Sequence, residues 1–450
     1  GIPSIFNDVL GPVMRGPSSS HSAAANRIGR LCRDLVGGDV EHAEIDYDPS
    51  GSLVTTHSSQ GTDMGLYGGF LGWPADDARL PDYERYLAES GLQVEVRYLD
   101  FGAVHPNHYR LRIRGANGRQ HSLQALSTGG GMLEVMDIDG QALNCAGDYF
   151  ELLLYLDDEA DEERIRAEVT ALQAPERYQR SEASGRLLCF SFSGLPDASV
   201  LRYLDAHPGI EFHRLLQPVL PVLSRRDQAV PFQSAEEMLE FNRDQDLALW
   251  ELAVAYESAR GGISGAEVLD RTRELLHIME GSIREGLAGT EYADRILPCQ
   301  STGFLQSQAE GRLIPGDTIN RVIAFITAIM EVKSSMGLIV AAPTAGSCGA
   351  MPGSVLAVAE SLGASEEERV QALLTAGMIG VFVTTHATFA AEVGGCMAEC
   401  GSGAGMAAAA MVGLNGGTLD QQLAAASLAL QNSFGMTCDP VANRVEAPCL

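Results

Sequence analysis

Hydrophobic and polar positions divide the chain into three regimes. In residues 1–145, Leu92-Gln-Val-Glu-Val-Arg-Tyr98 and Tyr109-Arg-Leu-Arg-Ile-Arg114 alternate apolar and polar side chains, the period of half-buried strands. Glu44-Ile-Asp-Tyr-Asp48 reads as a further strand. Ala23–Leu35 carries helical spacing behind the loop Gly16-Pro-Ser-Ser-Ser-His-Ser22, and Ser20 or Ser22 stands where a helix cap belongs. Ser127-Thr-Gly-Gly-Gly-Met132 reads as a glycine turn that ends this part. Residues 149–220 predict strand Tyr149–Leu156, helix Asp161–Leu172, strands Arg177–Ala183 and Arg186–Ser193, helix Ala198–Ala206 and strand Ile210–Val219. That succession is the ferredoxin-like order. After a linker, Pro221–Pro231, nothing reads as strand: Ser234–Arg260, Ser264–Leu287, Asp317–Met336, Ser365–Gly380, Gly403–Leu414 and Thr418–Gln431 all carry helical spacing. Ser234-Ala-Glu-Glu is a helix start, a serine cap with carboxylates near the positive end of the dipole. The reading is an α+β multidomain chain with boundaries at 1–147, 148–222 and 223–450, the last part all-helical.

Composition narrows the function. The 450 residues are 45% hydrophobic and 20% charged, as in soluble globular proteins, and length alone favours two or three domains. A formal net charge of −28 argues against nucleic acid, whose phosphates need basic surface. No uninterrupted apolar run reaches the roughly 18 residues of a membrane span, and no signal peptide is evident, so a cytoplasmic protein is expected. The sequence begins at Gly1, which leaves room for an N-terminal extension. Lys333 is the sole lysine among 31 basic residues, and no phosphate-cradling loop accompanies it, so pyridoxal phosphate is not expected.

The nine cysteines cluster late: 348, 396, 400, 438 and 449 occupy the last part of the chain. Their odd number and the absence of a secretion signal point to a reducing compartment and a metal rather than disulfides. Cys396, Cys438 and Cys449 sit in Gly- and Pro-rich turns, the settings that iron–sulfur clusters or zinc take; the plain alternative is three buried thiols acting as small hydrophobes. Cys400 is a substitute for Cys396, whereas Cys348 reads as a small residue in a tight loop. Pro343-Thr-Ala-Gly-Ser-Cys-Gly349, just before a helix, is suited to hold a carboxylate on its amides or is a plain turn. Among the histidines, His21, His57 and His386 merit a site hypothesis through association with the cysteines.

Taken together, Gly16-Pro-Ser-Ser-Ser-His21, Gly51-Ser-Leu53, Gly61-Thr-Asp63, His105-Pro-Asn107, Gly129-Gly-Gly131, Ala342-Pro-Thr-Ala-Gly-Ser-Cys-Gly349, Gly395-Cys396, Thr437-Cys-Asp-Pro-Val441 and Pro448-Cys449 closely resemble the bacterial iron–sulfur L-serine dehydratases. The middle region resembles an ACT domain, a small-molecule regulatory module often specific for amino acids. The N-terminal part is similar to the allosteric substrate-binding domain of some phosphoglycerate dehydrogenases. The resemblance implies a [4Fe–4S] cluster on Cys396, Cys438 and Cys449, with one iron open to act as a Lewis acid on the substrate hydroxyl. It further implies conversion of L-serine to pyruvate and ammonia, and a homodimer. Carried onto this sequence, Ser18, Ser19, Ser20, His21, Thr344, Ala345, Gly346 and Ser347 are the expected substrate contacts. His21, His57, Ser20, Thr62 and Lys333 are the catalytic candidates, with the base open among His21, His57 and Lys333.

Three departures bear on this. Gln60 replaces the histidine that the family carries before Gly-Thr-Asp, with His57 three residues earlier as its substitute. Met397-Ala398-Glu399 replaces Gln-Gly-Glu. The family continues beyond the Pro-Cys pair, where this sequence stops at Leu450, so a capping terminal cysteine is not carried over. The rival readings are sulfide release from L-cysteine or dehydration of another β-hydroxy acid, a non-catalytic amino-acid sensor, and a zinc protein.

Overall fold

The alternating runs of the N-terminal third assemble a six-stranded sheet in the computed structural model, which describes residues 1–181 and 186–436. Its spatial order is Gln93–Tyr98, Val40–Tyr47, His108–Gly115, Gln120–Gly129, Met132–Ile138, Gln141–Cys145; the first pair is parallel and the others antiparallel. The last three strands escape the sequence reading. In Gln120–Gly129 the inward positions include His121 and Ser127, which blurs the hydrophobic alternation. The glycines at 129–131 therefore turn a hairpin within the sheet rather than end the domain.

Helix Ala24–Val36 covers this sheet and packs against helix Thr62–Phe70 at backbone distance. A Cβ at Gly29 would meet the Leu66 carbonyl, and one at Gly69 the Asn26 carbonyl. Neither Ser20 nor Ser22 caps the first helix. A wide turn, Ser19–Ala23, runs straight into it, and Ser22 Oγ instead donates to the Gln60 carbonyl at 3.2 Å.

The middle region forms a four-stranded antiparallel sheet in the order Ile210–Leu216, Phe150–Leu156, Arg186–Phe192, Arg177–Arg180. Helices Glu162–Leu172 and Ala198–Ala206 bury Ile165, Val169, Val200 and Leu204 against one face. Residues of the other face, Leu153, Leu187, Cys189 and Leu216, join the core of the six-stranded sheet.

The C-terminal half is helical but not purely so. Ile339–Val340 pairs antiparallel with Val13–Met14, a two-residue ladder too short to leave a period in the sequence. The predicted Ser234–Arg260 helix is two helices, Ala235–Asn242 and Leu249–Gly261, broken where Asp246 adopts a positive φ of 53°. Ser301–Ala309 and Ala350–Leu362 are additional helices; the latter is rich in small residues and shows little amphipathic stripe because it is buried nearly all round. Gly265–Ala288, Asp317–Ser334, Glu366–His386, Ser402–Leu414 and Leu419–Asn432 complete the half.

The N-terminal segment is tied into the helical half. Ile5, Phe6, Val9, Leu10 and Met14 lie in the helical core. Ser4 Oγ and the Ile5 amide donate to the buried Glu257 carboxyl at 2.5 and 2.7 Å. Asn7 exchanges two side-chain hydrogen bonds with the Val222 backbone, so the segment read as a linker is docked. Among the described residues, no helix is long and apolar enough to cross a membrane.

Candidate functional site

The site is built where the Ser-Ser-His turn of the N-terminal half meets two loops of the helical half. Ser19 Oγ accepts a hydrogen bond from the Ala345 amide at 3.3 Å, across 326 positions of sequence. Ala345 belongs to the loop 343–349, which opens with a cis Ala342–Pro343 bond and leads into helix Ala350–Leu362. Thr344 Oγ1 lies 3.1 Å from Ser347 Oγ and donates to the Glu399 carboxylate. Gly346 leaves room for this fit, since a Cβ there would meet the same carboxylate. Glu399 stands three residues after Cys396, in the wide turn Met397–Gly401. That turn follows Gly395, which takes a positive φ of 69°.

Cys396 is buried at the head of this turn. The described chain returns to it from the far side: the Met397 amide donates to the Met436 carbonyl, and the Gly435 amide to Met397 Sδ at 3.4 Å. Cys438 and Cys449 lie outside the described residues. The donor chemistry fits an iron–sulfur cluster at the one ligand position described: a buried thiol beside a glycine, at a turn to which the segment preceding Cys438 is hydrogen-bonded. Cys348, by contrast, packs its sulfur 3.9 Å from Met330 Sδ, as a small residue in a tight loop.

His21 is half-buried, and its protonation is legible from its partners. Ser18 Oγ lies 3.0 Å from Nδ1, and Thr56 Oγ1 lies 3.2 Å from Nε2. Thr56 Oγ1 already donates its proton to the Ser52 carbonyl at 2.7 Å, so it accepts from Nε2–H. Nδ1 is therefore the bare nitrogen and receives the Ser18 hydroxyl proton. Burial pushes the imidazole pKa down to about 4, which keeps the ring in its unprotonated form near pH 7. Ser20 contributes its carbonyl, which accepts from Ser127 Oγ at 2.7 Å and pins the turn to the sheet.

The other candidates divide. His57 Nδ1 donates to the Asp63 carboxylate, 2.9 Å from both oxygens, and Nε2 lies 2.7 Å from the Tyr98 hydroxyl. His57 is thus oriented by Asp63 and faces the exposed Tyr98 at the rim, adjacent in sequence to the Thr56 that holds His21. Thr62 is fully buried at the start of its helix, beside the Tyr109 phenol. His386 is exposed and directs Nε2 to the Gln233 carbonyl at 3.2 Å, away from the turn.

Lys333 is fully buried, and among the described residues its ammonium has no hydrogen-bond partner. Its helix shows where it sits. Ile326 and Met330 border Gly349 and Gly353, and Met330 also touches Cys348. Residues 326, 330 and 333 fall on one helical stripe, which places Lys333 on the face turned to the 343–349 loop.

Sequence reading did not single out Thr56, Asp63, Tyr98, Ser127 or Glu399 for this site. Asp63 and Glu399 carried a signal, the one in the Gly61-Thr-Asp63 motif and the other in its spacing of three from Cys396. A cavity of about 440 Å³ lies between Asp8, Gly129, Arg260 and Ala390, and its lining includes none of the sequence-predicted site residues.

The family model "Serine dehydratase alpha chain" matches residues 244–450. The chain is 33% identical to a probable L-serine dehydratase alpha chain of Bacillus subtilis over 219 residues, 49% of this chain and 73% of that relative. It is 34% identical to the L-serine dehydratase alpha chain of Peptoniphilus asaccharolyticus over 220 residues, 48% of this chain and 74% of the relative. A probable beta chain from the same Bacillus matches at 36% over 155 residues, 34% of this chain and 69% of that relative. Relatives of both chain types therefore match one continuous polypeptide whose Ser-Ser-His turn, 343–349 loop and Cys396 turn converge, and the chain belongs to the L-serine dehydratase family.

Proposed function

We propose that this chain is a lyase that converts L-serine to pyruvate and ammonia, with Cys396, Cys438 and Cys449 holding a [4Fe–4S] cluster. The observation that carries the reading is the Ser19–Ala345 hydrogen bond, which brings the Ser-Ser-His turn to the loop hydrogen-bonded to Glu399, beside Cys396. When bound, the cluster would supply an open iron that makes hydroxide a competent leaving group.

The remaining work falls to the chain. His21 Nδ1 accepts the α-proton, with the Ser18 hydroxyl next to it as the relay, and Thr56 holds Nε2–H so that the tautomer does not change. Lys333 and the 343–349 loop neutralise the substrate carboxylate, which makes the α-proton more acidic. Loss of the α-proton and of hydroxide gives the enamine, which hydrolyses to pyruvate and ammonia. His57 serves as a positioning residue at the rim rather than as the base, since its Nε2 is turned to the exposed Tyr98.

The ferredoxin-like order of residues 148–222 supports an ACT-like amino-acid sensor, and the free cysteines among the described residues support a reducing, cytoplasmic setting. A homodimer is the expected assembly, to be checked by the mass of the enzyme in solution. The decisive experiment is the visible absorption of anaerobically purified protein with and without L-serine, followed by pyruvate assay. A brown protein that changes on adding serine and forms pyruvate, with Cys396→Ser colourless and inactive, is expected. A colourless protein after reconstitution with iron and sulfide would overturn the cluster. A brown protein that releases sulfide from L-cysteine and leaves serine untouched would reassign the substrate.

A further inference from the structure

A second constellation of soft ligands lies away from this site, at the junction of the two sheets. Cys145 ends the last strand of the six-stranded sheet; Glu151 and Cys189 lie on adjacent strands of the four-stranded one. All three are buried, and one ligand atom from each lies within 4.8 Å of the other two. The carboxylate is oriented asymmetrically. Arg177 Nη2 holds Glu151 Oε1 at 2.9 Å and also donates to the Asn144 carbonyl at 2.9 Å. Oε2 is turned to the sulfurs, where it accepts from the Cys189 thiol at 3.2 Å and from Ser191 Oγ at 2.5 Å.

We propose that Cys145, Cys189 and Glu151 Oε2 form a structural zinc site that staples the ferredoxin-like domain to the N-terminal sheet. Two thiols and one carboxylate oxygen are a zinc donor set, and a carboxylate fixed through its other oxygen by an arginine is the outer support that metal ligands use. Charge also balances. Two thiolates and a carboxylate carry three negative charges, and zinc with Arg177 supplies three positive ones. Binding exchanges the two thiol protons for the cation, so affinity rises with pH. The fourth position falls to water or to Ser191 Oγ. A rival grouping, His42, Glu44 and Glu95, is partly exposed, and Glu44 already pairs with Arg97 and Arg112. The proposal is independent of the serine reaction.

The test compares zinc content in wild type, Cys145→Ser and Glu151→Gln, each purified anaerobically with iron measured in parallel. About one zinc per chain is expected in wild type and lost in both variants, with iron unchanged. Cobalt substitution gives a thiolate-to-metal absorption band in wild type that both variants lack. Glu151→Gln keeps side-chain shape and both thiols, so a loss of zinc there does not depend on the cysteine variant folding. Equal zinc in all three proteins would overturn the site. So would a mass two hydrogens lighter on the peptides bearing Cys145 and Cys189, since those sulfurs would then be joined to each other.

Discussion

Ser19 Oγ and the Ala345 amide, 3.3 Å apart, join the two halves of the molecule at the point where the chemistry converges. Ser19 opens the wide helical turn Ser19–Ala23, and Ala345 lies in a loop. Each is held in place by its own half: the wide turn before helix Ala24–Val36 on one side, the loop before helix Ala350–Leu362 on the other.

Removing this link tests the assembly. Ser19→Ala leaves a buried amide unsatisfied, a cost of about 1–3 kcal/mol. We expect kcat/KM for L-serine to fall by roughly tenfold or more, with little change in far-UV circular dichroism. Gly346→Ala drives a methyl group into the Glu399 carboxylate and is expected to be worse. Wild-type activity in both variants would show that the contact is incidental.

Lys333 separates stability from function. A buried amine with no hydrogen-bond partner among the described residues costs folding free energy. Lys333→Met keeps the length of the side chain, so the variant should melt at or above the wild-type temperature. Its KM for serine should rise about 10- to 100-fold, the weight of a hydrogen bond to a charged group. A lower melting temperature with unchanged KM would make Lys333 a structural residue.

His21 predicts a shape of pH dependence. Its pKa is lowered to about 4 in the folded protein, so the acid limb of kcat/KM should lie well below the ordinary imidazole value of 6.5. The sign for stability follows: the unfolded chain binds a proton that the folded site refuses, so stability falls as pH drops from 6.5 towards 4. Urea titrations of His21→Gln should lack this part of the slope and leave the protein inactive.

Glu257 works in the opposite direction. Burial lifts its pKa from 4.5 to about 7, against the hydrogen bonds from Ser4 and Ile5. A raised folded pKa contributes stability that is complete below 4.5 and is lost as pH rises through 7. Between pH 5 and 8 the urea midpoint of wild type should decline more steeply than that of Glu257→Gln. Parallel slopes would sink this assignment.

What the sequence determined by itself is local. Ser234, Ser264, Ser365 and Thr418 each cap the helix that follows, because a cap needs only a hydroxyl and an amide three residues away. The ferredoxin-like succession was legible for the same reason: short alternating strands and capped helices carry their periods within about ten residues. The cysteine turns and the Ser-Ser-His loop were visible as motifs, and the family followed from them. Tertiary structure alone decided which of these meet. The Ile339–Val340 ladder has no period to detect, and the first fourteen residues join a helical core assembled far along the chain. Among four histidine and lysine candidates, the fold set His21 in a site with its bare nitrogen defined, Lys333 buried behind the loop, His57 at the rim and His386 outside. Ser19 and Ala345 stand 326 positions apart, and a hydrogen bond between them leaves no trace in composition or spacing, because it exists only where the tertiary fold brings the two loops together.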